Sequence, residues 1–478
     1  MRKRSLPLFL VTIMLLMSVG CGENLALFVP KIKPDPYESL SLLDYTEDDF
    51  DSSEASGGWP GGKTQNGSGS SQSSGGEAPS GGGNLSNIPA EYMFNGSVSR
   101  KVLENYLSRT ITYSVFGSGT SNRGLFLDAD DIYTLIDMGA KYIQRAGCVW
   151  IQSATELSES TKSNYKYSID SVHVLHPEIV FEACLFETCS QNINAVVIPP
   201  YVLEAFGQPV ETGRRFDYRN IIYLDWEVNR WGANTGVPDI SKIEAQMYFY
   251  YMATFYIDAG FEAFHWGQVE LMGKNDYDNS AWTKVINMAR AYASTHARRG
   301  FIFNNAHSFR EAYAIGSDGL LVYDFHASPV RCQEVPSSPM DCVIQKQSDS
   351  IYGKSTGGKT HSGWECDRLP FLVEIDNYGG VYQEDITNVG KIGVNPIWPW
   401  GFDEISWFSN QSDARRRDWL AYAYKRVREL DSCGFFSMPG LRPFTQVRNG
   451  ALFSTRYNCL SVPFNDSAAI KAIWAANS

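Results

Sequence analysis

Basic residues are scarce: 41 Lys and Arg stand against 53 Asp and Glu, giving a net charge of −12. They form no extended cluster that could track a phosphate backbone, which excludes nucleic acid as a partner. No stretch beyond residue 20 is long and apolar enough to span a bilayer. The nine cysteines include no Cys-x-x-Cys pair, so neither a zinc ribbon nor a dithiol motif is encoded, and no metal site is expected. No Gly-x-Gly-x-x-Gly follows an early strand, which removes the dinucleotide-binding reading, and the chain is expected to work without a cofactor.

What is present begins with a basic start, Arg2, Lys3 and Arg4, followed by an apolar stretch over residues 6–19 and then Ser18-Val19-Gly20-Cys21. This resembles the lipobox of bacterial lipoproteins, which implies a signal peptide over residues 1–20, cleavage before Cys21 and acylation of that residue. Residues 21–87 turn acidic at Glu47, Asp48, Asp49 and Asp51, then become dominated by Gly and Ser from 52 to 87. Such a composition cannot bury a core and behaves as a tether. The expectation is a protein held at the bacterial outer membrane by lipid alone, displayed at the cell surface toward a large substrate. The eight cysteines left after Cys21 are even in number, and Cys332 with Cys342, across a short Pro-rich loop, is the disulfide expected.

The folded domain is expected over 88–478. With 43% hydrophobic and 13% aromatic residues the chain as a whole can bury a large core. Nine short apolar runs read as strands: 111–116, 142–146, 180–186, 221–226, 262–266, 301–304, 320–325, 371–375 and 435–438. Helical patterns lie between most of them, including 130–138, 282–296 and 415–430. About eight strand and helix repeats predict an α/β fold of the (β/α)8 TIM-barrel type. The stretch 220–272 reads as strand, helix, strand, with Ser241 and Glu244 as a capping box and Gly260 as the stop.

Nine candidates for eight places leave two registers. With 111–116 first, the fourth strand ends at Glu227 and the seventh at Asp324. With 142–146 first, the fourth ends near Gln268 and Glu270, and the seventh at Glu374. Strand ends normally stay apolar, because a desolvated charge without a partner is costly. Here they carry Arg145, Asp225, Glu227, His265, Trp266, Gln268, Glu270, Asp324, His326, Glu374, Asp376, Asn377 and Arg442, with Trp231, Trp400, Asp403 and Glu404 in nearby loops. Flat indole rings stack on the apolar faces of sugars while carboxylates and amides hold hydroxyls, so a carbohydrate substrate is expected.

In this pattern the chain resembles the barrel glycoside hydrolases, as carried by surface lipoproteins of the Bacteroidota type. In the largest such group one Glu after the fourth strand is the acid/base and another after the seventh is the nucleophile. The resemblance implies Glu227 with Asp324, or Glu270 with Glu374, as catalytic pair. One carboxyl must hold its proton near neutral pH and the other must stay ionised. Asp225 and Trp226 precede Glu227 where that group has Asn-Glu, and Asp324 is not a Glu. Two rivals stand beside this: a surface glycan-binding protein without activity, and a metal-dependent amidohydrolase. For the latter His265, His307 and Asp376 fall near expected ligand positions, but residues 111–119 hold no His-x-His.

Overall fold

The computed structural model describes residues 85–114 and 129–477, apart from positions 226, 309, 348 and 378. The expected signal peptide, Cys21, Trp226 and nearly all of the 21–87 linker lie outside the described residues. No helix among the described residues is long and apolar enough to cross a membrane.

Ten strands share one sheet: β1 Thr110–Tyr113, β2 Tyr142–Gly147, β3 Val180–Cys184, β4 Ala263–Gln268, β5 Phe303–His307, β6 Phe325–Pro329, β7 Phe371–Glu374, β8 Gly434–Phe436, β9 Met438–Arg448 and β10 Ala451–Asn458. From β1 to β8 they lie side by side in chain order, and every neighbouring pair is parallel. β8 and β9 form one extended run broken only at Ser437, whose N–H donates to the Val373 carbonyl at 2.8 Å. β9 then pairs in parallel with β1, Met438 opposite Ile111. The pairings thus return toward their start and the sheet is curled and barrel-like. β9 and β10 run on as an antiparallel hairpin.

Side chains alternate across each strand with period two, and the two faces meet different surroundings. Ile143, Phe181, Phe264, Ala306 and Val373 face the outer core. There they meet α2 Ala129–Met138, α3 Glu159–Leu175, α4 Ile243–Asp258, α5 Ser280–His296 and α6 Asp413–Leu430, with α7 Ser467–Ala476 at the carboxyl end of the described chain. The enclosed face starts apolar at the amino ends, with Tyr142, Val180, Ala263, Phe303, Phe325, Leu372 and Phe435 in one cluster. Helix α1 Arg100–Leu107, capped by the Ser99 hydroxyl accepting from Val102 N–H, closes that end with Leu103 and Tyr106. Each large apolar side chain buried here contributes about 1.5–3 kcal/mol. Two residues further along, the enclosed face turns polar on every strand but β6, where Ala327 follows Phe325: Gln144, Glu182, His265, Asn305, Glu374 and Ser437 are all buried.

Three expectations are corrected. The strand expected over 221–226 is not formed by its described residues 221–225: Tyr218–Ile221 is one helical turn and Ile222 makes only an isolated bridge to Pro238. The apolar pair Ile221 and Ile222 is buried within a long excursion between β3 and β4, which satisfies the burial that the sequence signalled without a sheet position. The capping box is also absent, since Lys242 is the N-cap of α4. Glu244 instead accepts from Asp217 N–H at 2.5 Å, and the Ser241 hydroxyl donates to Asp239. Cys332 and Cys342 are free thiols: they sit on adjacent antiparallel segments, but Cys332 lies opposite Ile344 and Cys342 opposite Glu334, two positions out of register.

Removing 221–226 settles the register. The first strand is Thr110–Tyr113, as one count had it, yet the fourth is β4, ending at Gln268, and the seventh is β7, ending at Glu374, as the other had it.

Candidate functional site

The carboxyl ends of β1 to β7 and of the run formed by β8 and β9 surround a cavity of about 960 Å³. Ser114, Arg145, Glu187, His265, His307, Pro329, Asp376 and Leu441 line it, each at or just after a different strand. Several of these ends are distorted. The β2–β3 register shifts between Ile143 and Gly147, with Arg145 at φ 59°, and the β4–β5 register shifts between His265 and Gln268, with Gly267 at φ 68°. Bulges re-aim side chains, and a non-glycine residue held at positive φ costs about 1–3 kcal/mol, so the surrounding contacts over-determine Arg145.

Those contacts centre on Glu374. Arg145 Nε donates to both carboxylate oxygens, at 3.1 and 2.9 Å, and its Nη2 closes on Oε1. Arg442 Nη1 donates to Oε2 at 2.5 Å, while its Nη2 reaches Asp376 at 3.1 Å and also Asn377. Burial alone would raise the Glu374 pKa, but the two guanidiniums reverse this and hold the carboxyl well below the usual range, fully ionised. Glu374 is 1% exposed and lies directly behind Arg145 and Arg442, which face the cavity.

Glu182 lies below, accepting from the Tyr142 hydroxyl and the Asn305 amide at 2.7 Å each. Burial pushes it up to about 7 against those hydrogen bonds. The Asn305 carbonyl contacts His265 Nδ1 at 2.7 Å, and His265 packs edge-on to His307 with ring centroids 4.8 Å apart. Burial, then neighbouring charge, lowers His265 to about 3 and His307 to about 4, so both are neutral at pH 7. His307 Nε2 is buried and, among the described residues, without a hydrogen-bond partner.

Glu187 follows β3, lines the cavity and is 5% exposed. Gln268 donates to it twice, from N at 3.1 Å and from Nε2 at 2.6 Å, yet burial still raises its pKa. Gly267 is needed beside it, because a Cβ there would lie 2.5 Å from Glu187 Oε2. Glu270 follows β4 and accepts from Arg310 N at 2.9 Å and Nε at 2.5 Å. Trp150, Phe186, Tyr313 and Trp398 supply flat apolar wall. Trp231 stands behind Trp150 at 5.4 Å and donates from Nε1 to the Glu187 carbonyl at 2.8 Å, fixing that loop.

Of the residues singled out in the sequence, Arg145, His265, Gln268, Glu270, Asp376, Asn377 and Arg442 line this cavity, with Glu374 behind them. The others lie elsewhere. Glu227 is buried between Arg230 and Lys274 on the β3–β4 excursion, where Asp225 accepts from Glu227 N–H. Asp324 precedes β6, whose bounds are later than expected, so it sits at the amino end, accepting from Asn304 and facing Arg290 at 3.7 Å. His326 is interior to β6, and its ring nitrogens have no hydrogen-bond partner among the described residues. Trp266 is core and donates to Asn304. Trp400 is buried and donates to the Asp341 carbonyl. Asp403 caps the helical turn Glu404–Ser409, and Glu404 is buried near Arg331 and the Asp376 amide. Burial raises Asp403 to about 7 and Glu404 to about 8.

Cys148, Lys274, Arg310, Tyr313 and Arg456 also line the cavity and were not foreseen as site residues. Cys148 directly follows β2, Lys274, Arg310 and Tyr313 follow β4 or β5 by several residues, and Arg456 lies within β10, so only the strand bounds could have flagged them. Among the described residues no group of three or more His, Cys, Asp or Glu is placed to hold a metal ion.

The chain matches no protein-family model and no curated protein. Among solved structures it is similar to a GH113 β-1,4-mannanase, with TM-score 0.37 and 9% identity over 77% of this chain and 99% of the other. The glycoside hydrolase domain of PelA from Pseudomonas aeruginosa gives TM-score 0.31 and 8% identity over 69% and 94%. A debranching enzyme from Nostoc punctiforme gives 0.29 and 9% over 49% of this chain, which spans about half, 53%, of that protein.

Proposed function

We propose that this protein is a glycoside hydrolase of (β/α)8-barrel architecture, cleaving a poly- or oligosaccharide by a two-carboxylate mechanism. The observation that carries this is that Glu270, after the fourth strand, lines one cavity walled by aromatic rings, and Glu374, at the end of the seventh, lies directly behind Arg145 and Arg442 in that same wall. Those are the positions that the sequence resemblance implies for the acid/base and the nucleophile. Glu374 has the charge state a nucleophile needs, held ionised by Arg145 and Arg442. Glu270 lines the open cavity, where it can meet a leaving oxygen. Glu187, whose proton burial favours, is the other group able to supply that proton, and Gln268 links the two acids along the chain. His265 and His307, neutral, hydrogen-bond sugar hydroxyls without adding charge. Acylated Cys21 and the Gly/Ser-rich tether would place this activity at the outer surface of a bacterial outer membrane.

The second reading is a glycan-binding protein without turnover. It is favoured by one observation: both Glu374 oxygens are engaged by guanidiniums, Oε1 by Arg145 and Oε2 by Arg145 and Arg442, and Glu374 is not among the residues lining the cavity. One experiment separates the two. Product release is measured on a panel of glycans for the unmodified protein and for Glu270→Gln, Glu187→Gln and Glu374→Gly, the last with and without azide. Loss of about 10²–10⁴-fold in kcat is expected on removing the acid. Azide should restore turnover to Glu374→Gly by supplying the missing nucleophile. Binding without product by the unmodified protein across the panel would establish the binding reading instead.

A further inference from the structure

The cavity opposes the charge of the chain that forms it. Six basic side chains line it, Arg145, Lys274, Arg310, Arg331, Arg442 and Arg456, against three carboxylates, Glu187, Glu270 and Asp376, in a protein of net charge −12. The asymmetry arises from depth. The acids that balance several of these cations lie behind them: Glu374 behind Arg145 and Arg442, Glu227 behind Lys274, and Glu404 behind Arg331, with side chains 2%, 0% and 0% exposed. A ligand in the cavity therefore meets guanidinium and ammonium N–H groups first, and buried counter-charges second.

Two features at the rim add to this. Arg310 is 68% exposed and Arg456 is exposed, the latter with no hydrogen bond or ion pair among the described residues. Arg456 neutralises no acid among the described residues, while Arg310 pairs with Glu270 at the cavity wall. Deeper in, His307 Nε2 is a buried polar atom with no partner among the described residues, within the field of Arg145, Arg331 and Arg442. An unpaired buried nitrogen costs about 1–3 kcal/mol unless a ligand satisfies it.

We infer that the cavity takes an anionic glycan, whose carboxylate or sulfate groups are read by the guanidinium and ammonium groups of its wall. This rests on the glycosidase reading for the word glycan, and on the wall itself for the charge. Planar guanidiniums match carboxylate and sulfate oxygens in two-point contacts, and a narrow apolar-walled cleft focuses their field. A neutral sugar would gain the stacking on Trp150 and Trp398 and leave those donors to water.

The test uses the full chain and four probes: a uronate-bearing hexasaccharide, its carboxyl-reduced neutral form, a sulfated hexasaccharide and its desulfated form. Binding is measured by calorimetry at low and high salt, and product release separately. At least one anionic probe should bind about 10-fold or more tighter than its neutral partner, with the preference shrinking as salt shortens the screening length from ~30 Å at 0.01 M to ~3 Å at 1 M. Which pair shows it identifies carboxylate or sulfate as the recognised group. Arg456→Ala should cut the anionic affinity several-fold and move the neutral one less than about 2-fold. Equal affinity for charged and neutral partners in the unmodified protein overturns the inference, even if a neutral glycan is hydrolysed. Anionic preference without hydrolysis of any probe supports the inference while the hydrolase reading fails.

Discussion

Glu262 provides a quantitative check on the architecture at the end of the sheet away from the cavity. It precedes β4 and is 1% exposed; it accepts from Arg299 Nε at 2.9 Å and Nη2 at 2.6 Å, and from Arg298 Nη2 at 2.8 Å. Arg299 also donates to the Tyr106 hydroxyl at 2.9 Å, tying α1 to the sheet. Burial alone would raise Glu262, but Arg299 and Arg298 bring it from 4.5 down to about 2. A depressed acid stabilises the fold above its unfolded value, and that contribution is lost as pH falls toward its folded value. The drop, at ~1.36 kcal/mol per pKa unit, gives about 3 kcal/mol at pH 7 and about 1 kcal/mol at pH 3. Glu262→Gln should therefore lower unfolding stability at pH 7 by about 3–5 kcal/mol, including the cost of two unpaired guanidiniums. The gap to the unmodified protein should narrow by about 2 kcal/mol at pH 3. Urea unfolding of both proteins at the two pH values measures this. Buried titrating groups outside the field of Glu262 are common to both and cancel in the difference, while His173, which the Glu262 charge raises, opposes the narrowing at pH 3. An equal gap at both pH values, or none at pH 7, would refute the account.

Three further outcomes are expected. Gly267→Ala places a Cβ 2.5 Å from Glu187 Oε2 at φ 68°, so it should destabilise by about 1–3 kcal/mol and lower activity more than a substitution at exposed Gly213, as kinetics and thermal melts would show. Phe303→Ala, in the fully buried amino-end cluster, should cost about 3–5 kcal/mol in denaturant unfolding while leaving KM nearly unchanged, because the cavity is at the opposite strand ends. Cys148 lines the cavity, and hydrogen bonding with Cys184, opposed by burial and aided by Arg145 and Arg442, lowers it to about 7. Alkylation by iodoacetamide should rise through pH 6–8, select Cys148 in peptide mapping, and block glycan binding.

Much of the folded region's arrangement was legible because period-two apolar runs and helical stripes are local signals. Eight of nine strand candidates correspond to sheet strands, and the helices over 130–138, 282–296 and 415–430 stand within one or two residues of the reading. The failure at 221–226 is equally physical. Ile221 and Ile222 are buried, as their sequence implied, but against a local bridge and not against a neighbouring strand. Burial and strand identity are separate facts, and a short apolar run reports only the first. That one misreading had displaced the strand count and set Glu227 against Glu270.

The sequence by itself determined that the chain is α/β, that polar residues crowd its strand ends and that aromatic rings accompany them. Those follow from periodicity and composition, which need no knowledge of what touches what. Tertiary structure alone decided which acids share a cavity, because that depends on strand order and strand direction. Asp324 lies one residue before β6 and so falls at the closed end, while Glu374, the last residue of β7, falls at the open one. It also decided the charge a ligand meets, since Arg145, bent at its bulge, and Arg442, carried past Ser437, come to face the cavity only by converging on the carboxylate of Glu374 behind them.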